Sequence, residues 1–428
     1  MNGNHLDVID DHAWPTIAHP DPAPLGRVGR RLAEAHFASA ARKAELALVD
    51  GADLIIDHDD FFDRIASAGW TGFAESYMAG EWRSEDVTGV LYKLIGSGYR
   101  PRRTQKAKGE TGVGELPPEL VRLFSGDGMS AFPAIFTSAV STSVRTSVKS
   151  HVPGAGRGRE PGKHFVDIRT YDPARNLERD DLGSGQRQAT EALLDAANVR
   201  AGTHVLEYPS AGGSAAIFAA KRRAAVDTLT GDVEMAAALK ERFTLAGVAD
   251  SVQTVVRDSV LSGVSDWRAR YDAIVSVDKL EVITPKQRIA VLRAMDRMLQ
   301  MGGKVAIQMT VATDEMTTAG RDATRVLGHY IWPGLDYPTV DDMHRLADRH
   351  TGLRIISQTH SGSHTIESLK FQALLFAGHT REAAAEGFDA VYRRLWAYQF
   401  ALRRALFELG MLDTVQLVLT HRNRGGRR

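Results

Sequence analysis

The sequence contains no cysteine, and this absence removes several classes of chemistry. Disulfide scaffolds, zinc–thiolate centres, iron–sulfur clusters and thiol nucleophiles all require a cysteine sulfur. The sequence also has no net charge, because 53 basic residues balance 53 acidic ones. Domains that bind mainly to the nucleic-acid backbone carry a basic surplus, so we expect no nucleic-acid partner.

Long apolar runs and short catalytic motifs are missing as well. Because no run of 18 or more apolar residues occurs, we predict no membrane-spanning helix. The N-terminal letters MNGNHLDVIDDHAWP contain neither a basic region nor an apolar core, so we expect no signal peptide and a cytoplasmic protein. Neither an HExxH spacing nor a GxSxG elbow is present, and we predict no metal site and no serine hydrolase of the usual α/β kind.

The chain is long enough for two or three domains. It has 428 residues, of which 43% are apolar and 25% charged, as in an ordinary globular protein. Residues 1–25 are acidic and rich in proline, which predicts a flexible lead-in. We predict a small, mostly helical domain with an aromatic interior for residues 26–99. A basic linker is predicted for residues 100–165, and a larger α/β domain for residues 166–428.

The linker has the most uneven charge in the sequence. Residues 100–163 contain eleven basic and five acidic side chains, a net charge of +6. Its two ends, PRRTQKAKGETGVGE and VPGAGRGREPGK, have the composition of loops. A solvated linker explains this composition. The alternative is a basic arm that attracts anionic lipid headgroups, at roughly 1 kcal/mol per basic residue, and brings the protein to the inner face of the membrane.

Beyond Gln186, short apolar strands alternate with helices. This rhythm predicts an α/β fold, a doubly wound and mostly parallel sheet with helices on both faces. In such a sheet, ligands bind beyond the carboxyl ends of the strands, near the point where the strand order reverses. The predicted strands are residues 204–207, 224–229, 252–256, 271–277 and 304–309.

The loop after the first of these strands reads Glu-Tyr-Pro-Ser-Ala-Gly-Gly-Ser over residues 207–214. It matches neither GxxxxGK nor GxGxxG, which argues against a phosphate cradle. Pro209 lacks an N–H donor, and Ala211 disfavours positive φ. Glu207, at the strand end, suits a ligand that carries a positive charge, such as a sulfonium or an amino group. The alternative is a tight strand–helix connection without a ligand.

The fourth strand is followed by two carboxylates. Asp278 and Glu281 are three residues apart at the carboxyl end of the strand. In this kind of fold, a carboxylate at that place can act as a general base or stabilise a positive charge. The alternative is a solvated turn with Lys279 nearby.

Three blocks of the sequence carry a family resemblance. The first block is GFAESYMAGEWRSEDVTGVLYKLI (72–95), the second comprises residues 203–221, 271–283 and 298–311, and the third comprises residues 330–343, 361–376 and 387–421. Together they resemble the cyclopropane-fatty-acyl-phospholipid synthase family. The resemblance implies an S-adenosylmethionine-dependent methyltransferase that acts on unsaturated acyl chains, with a class I methyltransferase-like sheet. Residues 166–428 then form the methyltransferase-like domain, with helical lid insertions.

The resemblance also implies site residues. The glycines of the family's cofactor loop align with Pro209, Ala211, Gly213 and Ser214. The expected catalytic residue is Glu281, and Asp258 is expected near the adenine. The other residues expected around S-adenosylmethionine are Glu207, Ser210, Gly212, Gly213 and Thr228.

The family binds a bicarbonate ion through Cys, Glu, His and Tyr side chains, and most of these ligands are missing from this sequence. Only Glu281 matches. The cysteine does not exist, the histidine position falls near Gln308 or Met309, and the tyrosine position is Thr365. One carboxylate among neutral groups repels an anion. We therefore expect the proton-accepting machinery to be lost or rebuilt.

Two functions follow from these observations. The first is a divergent methyltransferase that transfers a methyl or methylene group to an unsaturated acyl chain of a phospholipid or another apolar substrate. The second is a non-catalytic homologue that binds a lipid or a partner enzyme, which Pro209 and Ala211 in the cofactor loop favour. An unrelated activity on the same fold and a homo-oligomeric state are both left open by the sequence.

Overall fold

The computed structural model describes residues 5–49, 51–101, 115–158 and 160–422. Short 3-10 helices occur at His5–Val8, Ala249–Ser251 and Val260–Ser262. The α-helices are α1 (Pro15–Ala18), α2 (Arg27–Lys43), α3 (Asp60–Ala68), α4 (Trp70–Ala79), α5 (Val87–Gly96), α6 (Pro118–Arg122), α7 (Asp181–Ala196), α8 (Ser214–Lys221), α9 (Val233–Leu245), α10 (Pro285–Met298), α11 (Thr318–Ala323), α12 (Arg325–Tyr330), α13 (Val340–His350), α14 (Gly362–Gly378), α15 (Thr380–Ala385) and α16 (Ala390–Glu408). The strands are β1 (Ile55–Ile56), β2 (Trp82–Arg83), β3 (Ser141–Lys149), β4 (Lys163–Tyr171), β5 (His204–Glu207), β6 (Ala225–Thr230), β7 (Val252–Val256), β8 (Tyr271–Val277), β9 (Leu299–Ala312), β10 (Leu353–His360) and β11 (Leu412–His421).

The chain folds into two compact units, each built from three segments. Unit 1 comprises Met1–Glu110, Glu315–Pro333 and Gln372–Met411. Unit 2 comprises Thr111–Asp314, Gly334–Phe371 and Leu412–Arg428. The domains predicted from the sequence are consecutive, whereas unit 1 also includes residues 315–333 and 372–411, and α16 packs there against α4 and α5.

Unit 1 has the aromatic interior that its sequence predicts. The rings of Phe37 and Phe61 meet edge-on with their centroids 5.1 Å apart, and Phe73 lies 4.8 Å from Trp82 in the same cluster. Trp70 also packs on Phe73, at 5.5 Å. Such rings bury large apolar areas and give a small helical unit most of its core.

The lead-in contributes to unit 1. Leu6 and Ile17 are buried in a cluster with Met78 and Leu395. The segment was predicted to be flexible because its composition is acidic and rich in proline. That composition does not indicate that these two side chains are buried.

The sheet of unit 2 confirms the predicted fold class. Within the described residues it has nine strands in the order β3-β4-β10-β11-β9-β8-β5-β6-β7. Five of its eight pairings are parallel. The chain moves from β5 to β6 and β7 in one direction and from β8 to β9 in the other, so the strand order reverses beside β5. The carboxyl ends of β5, β6 and β8 are therefore where a ligand is expected.

Strand β9 is longer than predicted. The predicted strand covers residues 304–309, but α10 already ends at Met298 and the strand begins at Leu299. The β8–β9 register shifts between Tyr271 and Ala273, and the extra residues of β9 form the resulting irregularity. Gly302 adopts φ +84° there, which explains why glycine is needed inside a strand.

Part of the predicted linker is a β-hairpin. β3 pairs antiparallel with β4 along its whole length, from Ser141–Tyr171 to Lys149–Lys163. Both strands are largely exposed, so the alternation of apolar residues that marks a half-buried strand is absent. The basic residues at 102–108 lie outside the described residues. No helix in the described ranges is long and apolar enough to cross a membrane.

Candidate functional site

The site begins with a carboxylate at the end of β5. Glu207 is fully buried, and its parallel register partner on β6 is Thr228. Thr228 Oγ1 donates a hydrogen bond of 2.9 Å to Glu207 Oε2, and the backbone N–H of Ala211 donates one of 3.4 Å to Glu207 Oε1. The parallel pairing thus brings two predicted site residues into direct contact.

Burial gives Glu207 an unusual pKa. Loss of water around the carboxyl raises its pKa to about 7, while the hydrogen bonds from Thr228 and Ala211 and the charge of Lys279 act in the opposite direction. A cation placed nearby favours the ionised form of such a group. Glu207 is therefore suited to a positively charged ligand at neutral pH.

The loop after β5 makes its tight turn at two glycines. Gly212 and Gly213 both adopt φ +86°. A Cβ at position 213 meets Leu239 Cδ2 at 2.7 Å and Phe243 Cε1 at 2.9 Å, so only glycine fits. Arg242 Nη1 closes the turn by donating to the carbonyl of Gly212 at 2.7 Å. The positive φ angles fall at these glycines and not at Pro209 or Ala211, which explains how the loop accepts proline and alanine.

Two hydroxyls of this loop are buried without a hydrogen-bond partner among the described residues. They are Ser210 Oγ and Ser214 Oγ. The backbone N–H of Ser210 is satisfied, since it donates to the carbonyl of Leu229 at 2.8 Å. A buried hydroxyl without a partner is costly, and a bound polar ligand removes that cost. With Glu207 beside them, these groups fit a cofactor that has a positive charge and several hydrogen-bonding groups, as S-adenosylmethionine has.

The segment after β8 is buried, so its interpretation as a solvated turn is wrong. Lys279 is 6% exposed and Glu281 is 4% exposed. Glu281 Oε1 accepts a hydrogen bond of 2.9 Å from the backbone N–H of Thr310 on β9, and the carbonyl of Glu281 accepts one from the N–H of Asp336. These bonds fix the predicted catalytic carboxylate beyond the carboxyl end of β8.

Lys279 connects the two halves of the site. Burial lowers the pKa of this lysine, and the carboxylates of Glu115, Glu207, Glu281 and Asp278 act in the opposite direction. These side chains come from β5, from the segment after β8 and from the segment before α6. The structure thus gathers Glu207 and Glu281 around one buried amino group.

Glu115 is a site residue that the sequence analysis missed. Its carboxylate accepts hydrogen bonds of 2.9 and 3.1 Å from Thr230 Oγ1, at the end of β6. Burial raises its pKa, and the charge of Lys279 is the largest effect against that rise. Glu115 follows a segment with linker composition, and nothing in its local sequence connects it with β6.

The remaining predicted residues lie after β7, on β9 and on α14. Asp258 is exposed in the turn after β7, next to Arg257, whose N–H donates to the carbonyl of Thr230. Gln308, near the position of the family histidine, accepts a hydrogen bond of 2.9 Å from Gln416 Nε2 on β11. Thr365, at the position of the family tyrosine, shares a hydrogen bond of 2.7 Å with Thr414 Oγ1. Gln308 and Thr365 are therefore both bonded to β11.

One group of potential metal ligands occurs among the described residues, and it is in unit 1. Ligand atoms of His5, Asp60 and Glu81 lie within 4.8 Å of one another. The buried guanidinium of Arg64 donates to Glu81 Oε1 at 2.7 Å. Arg64 thus already supplies a positive charge to this group, and the prediction that the protein has no metal site stays a prediction.

Comparison with known proteins supports a methyltransferase that uses S-adenosylmethionine. Residues 165–417, more than half of the chain, match the family described as mycolic acid cyclopropane synthetase. The chain is similar to tuberculostearic acid methyltransferase UfaA1 of Mycobacterium tuberculosis, with 28% identity over 446 residues and 96% of each chain covered.

Solved structures share the fold. Coclaurine N-methyltransferase bound to N-methylheliamine and SAH superposes with a TM-score of 0.60 and 12% identity, over 82% of this chain and all of that one. Mycolic acid cyclopropane synthase CmaA1, complexed with SAH and CTAB, gives a TM-score of 0.50 and 17% identity, over 57% of this chain and 87% of that one. At these identities the likeness concerns the fold, which is the predicted methyltransferase-like sheet.

Proposed function

Since the chain belongs to the mycolic acid cyclopropane synthetase family, it is an S-adenosylmethionine-dependent methyltransferase, and we propose that it adds a one-carbon unit to an unsaturated acyl chain. Family membership confirms the enzyme class and the cofactor expected from the sequence. The acyl chain, its double bond and the form of the product belong to the proposal.

The observation that carries the proposal is the position of Glu207. Its buried carboxyl, with a pKa of about 7, lies where the strand order reverses and next to two buried loop hydroxyls that have no hydrogen-bond partner in the part of the chain that the structure describes. S-adenosylmethionine has a permanent sulfonium charge, which an ionised Glu207 stabilises in a site with little water. Ser210 and Ser214 are the groups available to its polar parts.

Glu281 is the residue that we assign to the second half of the reaction. When bound, the cofactor supplies an electrophilic methyl group, and methylation of a double bond leaves a carbocation on the chain that must lose a proton. The N–H of Thr310 orients the Glu281 carboxylate. Glu281 either accepts the proton or stabilises the positive charge before the proton leaves. Exclusion of water prevents capture of the cation.

An acyl chain is the substrate that the comparisons favour. The similar protein from Mycobacterium tuberculosis is named for tuberculostearic acid, and the similarity covers 96% of both chains. We propose an acyl chain of a phospholipid because the sequence also resembles the phospholipid-modifying branch of the family.

The test is methyl transfer to defined lipids. Purified protein is incubated with isotopically labelled S-adenosylmethionine and vesicles of dioleoyl phosphatidylglycerol, and the extracted acyl chains are analysed by mass spectrometry. We expect labelled acyl groups that carry one additional carbon, and fragmentation distinguishes a cyclopropane from a methyl or methylene branch. Distearoyl vesicles, which have no double bond, are the matched control. Binding of cofactor and lipid without any transfer to unsaturated lipids contradicts the proposal and supports the non-catalytic homologue.

A further inference from the structure

Lys279 lies where the positive charge of the cofactor is expected. It follows the end of β8, while Glu115 is bonded to Thr230 at the end of β6. Strand β5 lies between β8 and β6, and Glu115 is the carboxylate that acts most strongly on Lys279. Lys279 is buried at this edge of the sheet, and its amino group is close enough to Glu207 for the two charges to interact.

Four carboxylates act on the charge of Lys279. They are the carboxylates of Glu115, Glu207, Glu281 and Asp278, and Asp232 in turn acts on Glu115. An ammonium group at this place balances part of their negative charge. A sulfonium bound beside Glu207 adds a second cation to the same buried site, and two cations in a poorly hydrated site repel each other strongly.

We propose that Lys279 links the charge of the cofactor to its own protonation, so that S-adenosylmethionine binds with release of a proton from the Lys279 ammonium to solvent. S-adenosylhomocysteine has a neutral thioether in place of the sulfonium and binds without this release. Lys279 is thus a specificity-determining residue that discriminates between cofactor and product by charge. The inference rests on the proposed function, since it requires the cofactor to bind at the carboxyl end of β5.

The sign of the pH dependence follows from the proton released. Below the pKa of Lys279 in the ligand-free protein, the binding of S-adenosylmethionine must remove a proton, and its affinity rises with pH. Above that pKa no proton remains to be released, and the affinity levels off. Ionisation of Glu207 also makes the affinity for the sulfonium rise with pH. A variant is therefore needed to separate the effect of Lys279 from that of Glu207.

The experiment compares two ligands and two lysines by isothermal titration calorimetry. S-adenosylmethionine and S-adenosylhomocysteine are titrated into the wild type and into Lys279→Met, in buffers of different ionisation enthalpy between about pH 6 and 9. The control is Lys304→Met. Lys304 pairs with Ala273 near the start of β8, roughly 13 Å from the opposite end of the strand, and its loss removes the same charge.

We expect the wild type to release more protons with S-adenosylmethionine than with S-adenosylhomocysteine. Lys279→Met should bind S-adenosylmethionine about tenfold more tightly at neutral pH, because the competing positive charge is gone, with S-adenosylhomocysteine changed by less than about twofold. Lys304→Met should behave as the wild type does. Lys279→Gln, which keeps a polar end group, repeats the test without an added apolar side chain.

An unchanged ratio of the two affinities in both Lys279 variants overturns the inference. Equal proton release with the two ligands in the wild type also overturns it, even if neither variant folds. If the wild type binds neither ligand, the proposed function fails instead. The two failures are therefore distinguishable.

Discussion

The hydrogen bond of 2.9 Å between Thr228 Oγ1 and Glu207 Oε2 joins the ends of two neighbouring parallel strands. It stabilises the carboxylate of a group that burial otherwise drives toward its neutral form, with a pKa of about 7. The protein thus carries, at the carboxyl edge of its sheet, a carboxyl group whose charge changes near neutral pH. Both its ligand affinity and its stability should depend on that charge.

Replacing Glu207 with Gln should make stability less sensitive to pH. The pKa of Glu207 rises from its ordinary value of 4.5 to about 7 on folding, so its contribution is present below pH 4.5 and is lost as the pH rises through 7. The difference corresponds to about 3 kcal/mol in the free energy of unfolding. Urea unfolding of the cofactor-free protein across this range measures it.

The control for this prediction is Glu241→Gln, which removes an exposed carboxylate from α9. It should leave the pH dependence of the wild type unchanged. If Glu207→Gln loses as much stability between the two pH values as the wild type does, Glu207 does not carry the raised pKa.

The sequence predicts the site residues that lie at or near the ends of strands. Glu207 ends β5, Thr228 precedes the end of β6, and Glu281 follows β8. Parallel pairing brings such ends to one edge of the sheet, so a correct strand assignment already places them near one another. Gly212 and Gly213 are predictable as well, because a turn that needs positive φ selects glycine.

The part that the sequence does not predict depends on contacts between distant segments. Glu115 reaches Thr230 from a position 115 residues earlier in the chain. A lysine is expected to be exposed, but Lys279 is buried, and the carboxylates that act on its charge come from separate segments of the chain. In the same way, residues 315–333 and 372–411 belong to unit 1 through packing that no local pattern records.

Gly213→Ala should destabilise the protein more than Gly202→Ala, although both glycines have a positive φ. Gly213 has φ +86°, and a Cβ added there would meet Leu239 and Phe243, whereas Gly202 has φ +81° and open space around it. Gly202→Ala should cost about 1–2 kcal/mol for the left-handed backbone. Gly213→Ala should cost a further 1–3 kcal/mol or so for overpacking, and it should weaken S-adenosylmethionine binding.

Chemical unfolding of both variants measures these two costs, and calorimetry measures cofactor affinity. Equal destabilisation by the two substitutions contradicts the assignment of Gly213 to a crowded turn.

The hairpin of β3 and β4 should contribute to binding of anionic membranes if the basic stretch serves that role. Lys149 and Lys163 are exposed and directly opposite each other, and like charges in such a pair repel. Replacing both with Gln should weaken binding to phosphatidylglycerol vesicles by about tenfold or more, at roughly 1 kcal/mol per lysine. Co-sedimentation at low and high salt measures this.

The matched control for the hairpin is a double variant with the same charge change elsewhere in unit 2, Lys240→Gln with Lys286→Gln, at two exposed positions. It should bind the vesicles nearly as the wild type does. Absence of vesicle binding at low salt, or equal weakening by both double variants, leaves only a solvated connection.

Glu281→Gln should slow turnover while preserving cofactor affinity. The Gln side chain keeps an oxygen that accepts the N–H of Thr310, so the segment after β8 stays in place, but it neither accepts a proton nor carries a charge. Because a carbocation and its proton exist only during the reaction, the loss should appear in kcat, by about 100-fold to 10,000-fold, with the Kd of S-adenosylmethionine within about threefold. Methyl transfer to dioleoyl vesicles gives kcat, and calorimetry gives Kd. Glu241→Gln should match the wild type in both measurements. A Glu281→Gln enzyme with wild-type turnover removes Glu281 from the reaction, and an equal loss of kcat and cofactor affinity instead assigns it to positioning the site around Lys279.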